Sequence, residues 1–315
     1  MTKVSFENRT VIVTGAGGAL GRTYAIDIAG RGGRVIVNDL GGSAEGFGSS
    51  NESADQVVAE IRTAGGEAVA SYDDVSTSDG AKRIVETALD HFGRIDALIN
   101  NAGNIRNAWL EDFTDENRDA VIATHLIGSF NMTRAVWPGM KAQGYGRIVF
   151  ASSCAGMLGN CTQAAYGAAK AGITGLMNVA SQEGRAHGIL CNALVPNAVS
   201  RMADNMDYTA MKDIEPYAAA VYHAMDPVYT TGLVVFLASE ACTSTHSIYS
   251  SLGGRYARMF IGVTEGWQGV RGQPSTADDV ADHFDQISDV SRGFEIPESL
   301  IDEFRIVAGQ QKETA

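Results

Sequence analysis

Six short apolar runs, each ending in small or polar residues, constrain the fold of this 315-residue chain more than any other feature. The runs are almost continuously apolar, whereas a strand with one face in water alternates apolar and polar side chains. They lie at residues 11–13, 35–37, 68–70, 97–99, 148–150 and 191–195. We therefore expect strands that are covered on both faces.

Stretches with apolar residues at three- and four-residue spacing separate these runs, and such spacing is typical of amphipathic helices. They are Arg22 to Arg31, Ala54 to Ala64, Ala81 to Phe92, Arg118 to Met140 and Gln163 to His187. Because strands alternate with helices, the sequence predicts an α/β fold with a doubly wound parallel sheet.

A glycine-rich loop from Thr14 to Gly21 follows the first run and opens the first predicted helix. Small residues let the backbone approach a pyrophosphate, which the amides and dipole of a helix N-terminus stabilise. The common G-x-G-x-x-G spacing is not met, and a tight turn that only connects strand to helix is the alternative. The candidate cofactor-binding residues of this loop are Gly15, Gly17, Gly18, Ala19, Leu20 and Gly21.

Asp39 ends the second run, 18 residues after Gly21. A carboxylate there accepts hydrogen bonds from the adenine ribose hydroxyls and repels a 2′-phosphate, which favours NAD over NADP. The alternative is a turn-forming acid before Gly41. Asp74, which precedes Val75, is a similar candidate for the adenine edge, and the alternative is an N-cap of the next helix.

Tyr166 and Lys170 are four residues apart in a predicted helix and therefore share one helix face. A phenol is a poor acid or base at neutral pH, but an adjacent cation favours the phenolate. Ser153, at the end of a predicted strand, could bind a substrate oxygen. The alternative is a core tyrosine with a solvated lysine.

Taken together, these motifs resemble the short-chain dehydrogenase/reductase family. The residues that carry the resemblance are Thr14, Gly15, Gly21, Asn100, Asn101, Ala102, Gly103, Ser153, Tyr166, Lys170 and Pro196. The resemblance implies a Rossmann-type core with NAD bound in an extended groove. It implies that Tyr166 is the general acid or base, that Lys170 lowers the pKa of this tyrosine and binds the nicotinamide ribose, and that Ser153 steadies the substrate oxygen.

The resemblance also implies further cofactor contacts, a substrate lid at about residues 198–228, and a homodimer or homotetramer. The additional candidate contacts are Asn101, Ala102, Gly103, Pro196, Val199 and Ser200. Two positions depart from the family pattern: Ala19 replaces a loop glycine, and His125 replaces an asparagine of the usual catalytic tetrad. His125 is a candidate to order a water or relay protons, and a helix histidine with satisfied hydrogen bonds is the alternative.

Within the family, the chain is similar to one subgroup, the (3R)-hydroxyacyl-CoA dehydrogenase unit of the type 2 multifunctional enzyme of β-oxidation, also described as a 17β-hydroxysteroid dehydrogenase. The motifs that carry this similarity are 37–42, His125, 146–148, 196–198, 200–202, Gly253-Gly254 and Gly266-Trp267. It implies oxidation of a hydroxyacyl-CoA. The candidates to contact the phosphates of such a substrate are Arg106, Arg201, Arg255 and Arg258, and a solvated surface position is the alternative for each of them.

Two rival functions remain at this point. A hydroxysteroid or terpene-alcohol dehydrogenase would use the same catalytic residues without coenzyme A. An NAD-binding sensor or scaffold would have lost catalysis, and the intact Ser153, Tyr166 and Lys170 argue against it.

The net charge of −13 argues against nucleic acid as a partner, because phosphate binding needs a basic surface. Residues 271–315 hold ten acidic and four basic residues, so nearly half of the excess lies outside the motifs. We expect one dinucleotide-binding domain at 1–270 and an acidic extension at 271–315, packed on or between subunits.

The cysteines and the hydropathy complete the prediction. The cysteines are Cys154, Cys161, Cys191 and Cys242, and no Cys/His cluster has zinc spacing. We expect reduced thiols, no metal site and a cytoplasmic protein. No apolar run approaches the roughly 20 residues of a membrane span.

Overall fold

The structure is a computed structural model that describes residues 4–198 and 215–313. The chain divides into two compact units, Met1–Arg258 and Met259–Ala315. The expected division into residues 1–270 and 271–315 stays a prediction.

The first unit is built around an eight-stranded sheet with the strand order β3-β2-β1-β4-β5-β6-β7-β8. The strands are β1 (Thr10–Thr14), β2 (Arg34–Asn38), β3 (Glu67–Ser71), β4 (Ala97–Asn100), β5 (Gly146–Ala151), β6 (Ile189–Pro196), β7 (Ser247–Leu252) and β8 (Arg255–Met259). The seven strands from β3 to β7 in this order pair in parallel. The prediction of a doubly wound parallel sheet is confirmed.

Most helices of this unit overlap the five predicted stretches, whereas the helices at residues 154–157, 215–221 and 228–238 lie outside them. The helices are α1 (Ala19–Gly30), α2 (Glu52–Thr63), α3 (Ser78–Phe92), α4 (Asp115–Ile122), α5 (Gly128–Gln143), α6 (Cys154–Met157), α7 (Ala164–Gly184), α8 (Glu215–Val221) and α9 (Val228–Ala238). A π-helical turn, Ala123–Ile127, joins α4 to α5. Local signals fix several ends: the Thr77 side chain caps α3, and Gly93 ends it in the left-handed conformation.

The core lies between the sheet and its flanking helices. All residues of β1, β4 and β5 are buried, which explains why their sequences do not alternate. α1, α2 and α9 contribute Ile28, Ile61 and Val234 to the same cluster as Val11 and Val13 of β1.

In its described residues, the second unit contains two two-residue strands and three α-helices, the last of which has 14 residues. They are β9 (Val263–Thr264), α10 (Ala277–Asp282), α11 (Phe284–Ser288), β10 (Phe294–Glu295) and α12 (Leu300–Glu313). β9 and β10 pair antiparallel, and Phe260 stacks on Phe294. Of the predicted lid at 198–228, residues 199–214 lie outside the described residues, so the lid stays a prediction.

The Asp96 carboxylate joins the amino ends of β1 and β4, at the edge of the sheet opposite the glycine loop. Its side chain is only 2% exposed. It accepts hydrogen bonds from the Arg9 guanidinium (2.8 Å), the Arg94 guanidinium (2.6 Å) and the Thr10 backbone N–H (2.9 Å). These bonds fix β4 beside β1, and the carboxyl ends of these two strands carry the candidate site.

The substitution Asp96→Ala should lower the free energy of unfolding by about 3 kcal/mol, because it leaves two guanidinium groups and a backbone N–H without their acceptor. Urea denaturation measures the change. Asp79→Ala is the matched control, since Asp79 forms an exposed ion pair with Lys82, and it should leave the midpoint almost unchanged. Equal midpoints for both variants would contradict the role given to Asp96.

Candidate active site

The carboxyl ends of β1, β2, β3 and β4 surround a cleft of about 330 Å³. β1 lies between β2 and β4, and a ligand crevice is expected where the connections from neighbouring strands diverge in this way. The predicted cofactor-binding residues that line it are Gly15, Gly18, Ala19, Leu20, Gly21, Asp39, Asp74, Val75, Asn101, Ala102 and Gly103. Pro196 ends β6, and Val199 and Ser200 lie outside the described residues.

The glycine loop forms a close-packed cradle at the start of α1. Gly15 has a φ of +65°, and a Cβ on it would lie 2.8 Å from the Ala102 Cα. A Cβ on Gly21 would overlap the Gly15 carbonyl oxygen. No side chain caps α1 at Gly18. The first N–H groups of the helix therefore have no side-chain acceptor and suit an anionic ligand.

Asp39 directly follows β2 and holds the glycine loop to the segment after it. Its carboxylate accepts the Gly17 N–H at 2.8 Å and the Gly41 N–H at 2.7 Å. The side chain thus forms the turn that the alternative predicted, and it also lines the cleft.

Asp74 lines the cleft but does not cap a helix. Its carboxylate accepts the Ser76 N–H at 2.8 Å, while the Thr77 side chain caps α3. The N-cap alternative for Asp74 is therefore wrong.

Thr14 and Asn101 join the loops that follow β1 and β4. The Thr14 hydroxyl accepts the N–H groups of Asn101 and Ala102, both at 3.0 Å. The Asn101 amide donates to the carbonyl oxygens of Thr14 (3.0 Å) and Gly15 (3.2 Å). Asn101 thus holds the loops after the central strands β1 and β4 together.

Ser153, Tyr166 and Lys170 come together where β5 ends. Ser153 precedes α6, and its hydroxyl accepts the Ala155 N–H at 3.2 Å. Ser153 and Tyr166 are hydrogen bonded through their side chains. One turn along α7, the Lys170 ammonium donates to the Ala151 carbonyl oxygen at 2.6 Å and lies 5.4 Å from the centre of the Tyr166 ring.

Burial dominates the acid–base properties of this trio. Burial raises the pKa of Tyr166, and the hydrogen bond with Ser153 acts in the opposite direction. Burial also lowers the pKa of Lys170 to about 7. At Tyr166 burial outweighs the hydrogen bond with Ser153, and the lowering of the Tyr166 pKa by Lys170 stays a prediction.

His125 lies on the π-helical turn and is fully buried against the same trio. Its Nε2 contacts the Asn104 carbonyl oxygen at 2.7 Å and the Asn104 nitrogen at 3.1 Å. Its ring meets the Tyr166 ring edge-on, with centroids 5.1 Å apart. Burial, together with the positive charge of Lys170, lowers the pKa of His125 well below its usual value. The imidazole is therefore neutral, and its Nδ1 has no hydrogen-bond partner among residues 4–198 and 215–313.

Asn104 and Gly103 shape this environment, and the sequence analysis did not identify Asn104. The Asn104 amide donates to the Thr124 hydroxyl (3.0 Å) and the Ala120 carbonyl (3.3 Å), so it fixes the helix that carries His125. A Cβ on Gly103 would overlap the imidazole of His125. The only available signal was an asparagine placed directly after the Asn101-Ala102-Gly103 motif.

The arginine candidates for phosphate contacts differ in environment. Arg106 is only 9% exposed and donates to the Glu45 carbonyl oxygen and the Asn117 side chain. The hydrogen bonds of Arg106 therefore connect parts of the protein to one another. Arg255 and Arg258 are exposed on β8, and Arg201 lies outside the described residues.

The cysteines divide into two groups. Cys191 and Cys242 are buried, and burial raises the pKa of Cys191 to about 12, which fits the expected core role. Cys154 is half-buried beside Asn197, and Cys161 is exposed. Within residues 4–198 and 215–313, no cluster of three His, Cys, Asp or Glu side chains has metal-binding geometry.

The hydropathy of the helices bears on whether any of them could cross a membrane. Among the helices in the described part of the chain, none is long and apolar enough to cross a membrane.

Comparison with known proteins is consistent with this geometry. The family model of the short-chain dehydrogenases matches residues 9–212. The mouse peroxisomal multifunctional enzyme type 2 is 43% identical over 291 residues, which is 91% of this chain but 37% of that protein. The chain thus spans little more than a third of that enzyme.

Two mycobacterial proteins match over more of their own length. A hydroxyacyl-CoA dehydrogenase of Mycobacterium tuberculosis is 35% identical over 76% of this chain and 75% of its own. The crystal structure of a short-chain dehydrogenase from Mycobacterium avium superimposes with a TM-score of 0.75 at 34% identity, covering 93% of this chain and 97% of that chain. This chain therefore belongs to the short-chain dehydrogenase/reductase family and is an oxidoreductase that acts on CH–OH groups.

Proposed function

We propose that the protein oxidises a secondary alcohol to a ketone with NAD, and that its substrate is a (3R)-hydroxyacyl-CoA of fatty-acid or sterol side-chain β-oxidation. The observation that carries the proposal is the buried contact of Ser153, Tyr166 and Lys170 at the edge of the sheet that holds the cleft. Family membership supplies the reaction class.

The cleft residues fit a nicotinamide dinucleotide. The uncapped N-terminus of α1 and the close packing at Gly15 and Gly21 suit a pyrophosphate. Asp39 would bind the adenine ribose, and Asp74 would border the adenine. When bound, the nicotinamide ring supplies the acceptor for the hydride.

Tyr166 is the proposed general base in the direction of oxidation. Its phenolate oxygen takes the proton of the substrate hydroxyl, and Ser153 holds the same substrate oxygen by a hydrogen bond. Because burial raises the pKa of Tyr166, the phenolate needs nearby positive charge. The Lys170 ammonium provides it, and it also binds the nicotinamide ribose in this proposal.

His125 is the proposed positioning residue of the site, in place of the usual asparagine. In the tautomer whose Nε2–H donates to the Asn104 carbonyl at 2.7 Å, and so does not accept the Asn104 N–H, the Nδ1 atom is an acceptor. That atom can order a water that exchanges protons with Lys170, and the edge-on contact holds the Tyr166 ring.

The charge of Asp39 favours NAD as the cofactor, and the named relatives favour an acyl-CoA as the substrate. The Asp39 carboxylate would lie where NADP carries its additional phosphate. A relative at 35% identity is named a hydroxyacyl-CoA dehydrogenase. Exposed apolar side chains on the loops after β4 and β5, Trp109, Leu110 and Leu158, offer contacts for an acyl chain. Arg255 and Arg258 remain candidates for the phosphates of coenzyme A.

Assembly and location are further parts of the proposal. We propose a cytoplasmic homodimer or homotetramer in which residues 198–228 form the substrate lid and residues 271–315 pack on or between subunits. Exposed apolar side chains on the turn Ala123–Ile127 and on α5 and α7 support subunit contacts, with Ile127, Phe130 and Val179 each exposed by more than 40%.

Tyr166→Phe should lower the kcat for NADH formation from a (3R)-hydroxyacyl-CoA by about 10²–10⁴-fold, because it removes the proton acceptor. The Kd for NADH, measured by fluorescence titration, should stay unchanged. Tyr145→Phe is the control, since Tyr145 precedes β5 at the opposite end from Ser153.

Three results would contradict parts of this proposal. Near-normal turnover by the Tyr166 variant would remove Tyr166 as the base. Faster oxidation of a steroid alcohol than of the acyl-CoA would favour a hydroxysteroid dehydrogenase. NADH binding without turnover of any alcohol in a broad panel would favour a sensor.

Gly103→Ala should lower kcat by roughly 10–100-fold, because the added methyl group displaces the His125 imidazole. Steady-state kinetics measures the effect. Gly139→Ala is the control: a Cβ on Gly139 meets no atom within 4 Å, and alanine suits this exposed position of helix α5. An unchanged kcat for the Gly103 variant would argue against a role of His125 in turnover.

Asp39→Asn should lower the ratio of kcat/KM for NAD to kcat/KM for NADP by roughly tenfold or more, since the substitution removes the charge that repels the 2′-phosphate. Asp90→Asn removes one charge from an exposed position near the end of α3 and serves as the control. If both variants keep the wild-type ratio, Asp39 does not select the cofactor.

A further inference from the structure

The segment 41–51 between β2 and α2, named the strap here, is a compact loop with its ends in contact. The Ser50 N–H donates to the Leu40 carbonyl oxygen at 3.0 Å, and a Cβ on Gly41 would overlap the Ser50 carbonyl. Within the strap, the Ser43 N–H donates to the Phe47 carbonyl oxygen at 2.9 Å. These features are those of an Ω-loop, which has one defined shape.

The strap forms a wall of the proposed dinucleotide cleft. Four of its residues line the same cleft as Asp39 and Leu20: Gly42, Ser43, Ala44 and Gly46. Gly46 lies directly against the Asn104 side chain, since a Cβ on it would come within 2.7 Å of the Asn104 Nδ2. The volume of the cleft therefore depends on where the strap is held.

Ile105 and Arg106, which follow β4 in the chain, hold the strap in place. The Ile105 N–H donates to the Ala44 carbonyl oxygen at 2.9 Å. The Arg106 Nε donates to the Glu45 carbonyl oxygen at 2.9 Å, and the guanidinium carbon lies 4.4 Å from the centre of the Phe47 ring. The strap is thus held by one backbone hydrogen bond, by one hydrogen bond from the Arg106 guanidinium, and by the stacking of the same guanidinium on the Phe47 ring.

The same guanidinium reaches a third element. Its Nη1 donates to the Asn117 Oδ1 on α4 at 3.1 Å and lies 3.8 Å from the Glu116 carboxylate. The planar fork of arginine makes these contacts while its face stacks on a ring, and the point charge of lysine cannot reproduce them. Arg106 therefore joins the strap to the helix that leads to His125.

We propose that Arg106 is a positioning residue that holds the strap closed against the cleft and thereby sets the affinity and residence time of the dinucleotide. The proposal rests on the proposed function, in which the cleft binds NAD. If the strap is released, only the fraction of molecules with a closed strap binds tightly, and the apparent Kd rises by the inverse of that fraction.

The test uses the full-length Arg106→Ala and Arg106→Lys variants, with stopped-flow and equilibrium NADH fluorescence. Both variants should raise the Kd for NADH by roughly tenfold, mostly through a faster dissociation rate. In steady-state kinetics the change should fall mainly on the KM for NAD and less on kcat, because Arg106 acts on the cleft rather than on Ser153, Tyr166 and Lys170. Phe47→Leu, which removes the stacked ring from an exposed position, should act in the same direction even if the arginine variants fold poorly.

Arg118→Ala is the matched control, since Arg118 is half-exposed on α4 and, within the described part of the chain, forms ion pairs with Asp115 and Asp119 of the same helix. It should leave NADH binding unchanged. A wild-type Kd for NADH in folded Arg106 and Phe47 variants would overturn the inference. An increase in the KM for the acyl-CoA alone would also overturn it, because that result would indicate that Arg106 binds the phosphates of the substrate. Failure of the wild-type protein to bind NADH would instead overturn the proposed function.

Discussion

The hydrogen bonds between Thr14 and Asn101 hold together the two loops on which the rest of the site depends. One hydroxyl accepts two backbone N–H groups from the β4 loop, and one amide donates to two carbonyl oxygens of the β1 loop. Because these partners are satisfied within the protein, their hydrogen bonds stabilise the shape of the glycine cradle. At the other end of β1 and β4, Asp96 fixes the same pair of strands.

Burial sets the acid–base properties of Tyr166, Lys170 and His125. It raises the pKa of Tyr166, lowers that of Lys170 to about 7, and lowers that of His125 well below its usual value. Of these three groups, Lys170 has the pKa nearest to neutral pH, so its charge responds most to a further charge that enters the site. The π-helical turn and the missing side chain of Gly103 are what let an imidazole reach this position.

Local patterns predicted much of the molecule. Continuous apolar runs indicated buried strands, helical spacing indicated the flanking helices, and the four-residue interval between Tyr166 and Lys170 placed both on one face. Arg106 was harder to assign, because its partners Glu45, Phe47 and Asn117 are distant in the sequence and no local pattern connects them. Asn104 was missed for the same reason, since its amide bonds to residues 16 and 20 positions away.

The sequence by itself determined the parallel sheet, the glycine cradle with Asp39, and the serine, tyrosine and lysine of the site. These depend on period and spacing within one or two adjacent elements. Only the tertiary structure decided the directions of the pKa shifts of Tyr166, Lys170 and His125. It also decided the contact of His125 with Tyr166 and the hydrogen bond by which Arg106 holds the strap. Burial and long-range hydrogen bonds decide these properties, and both exist only after distant segments have packed against one another.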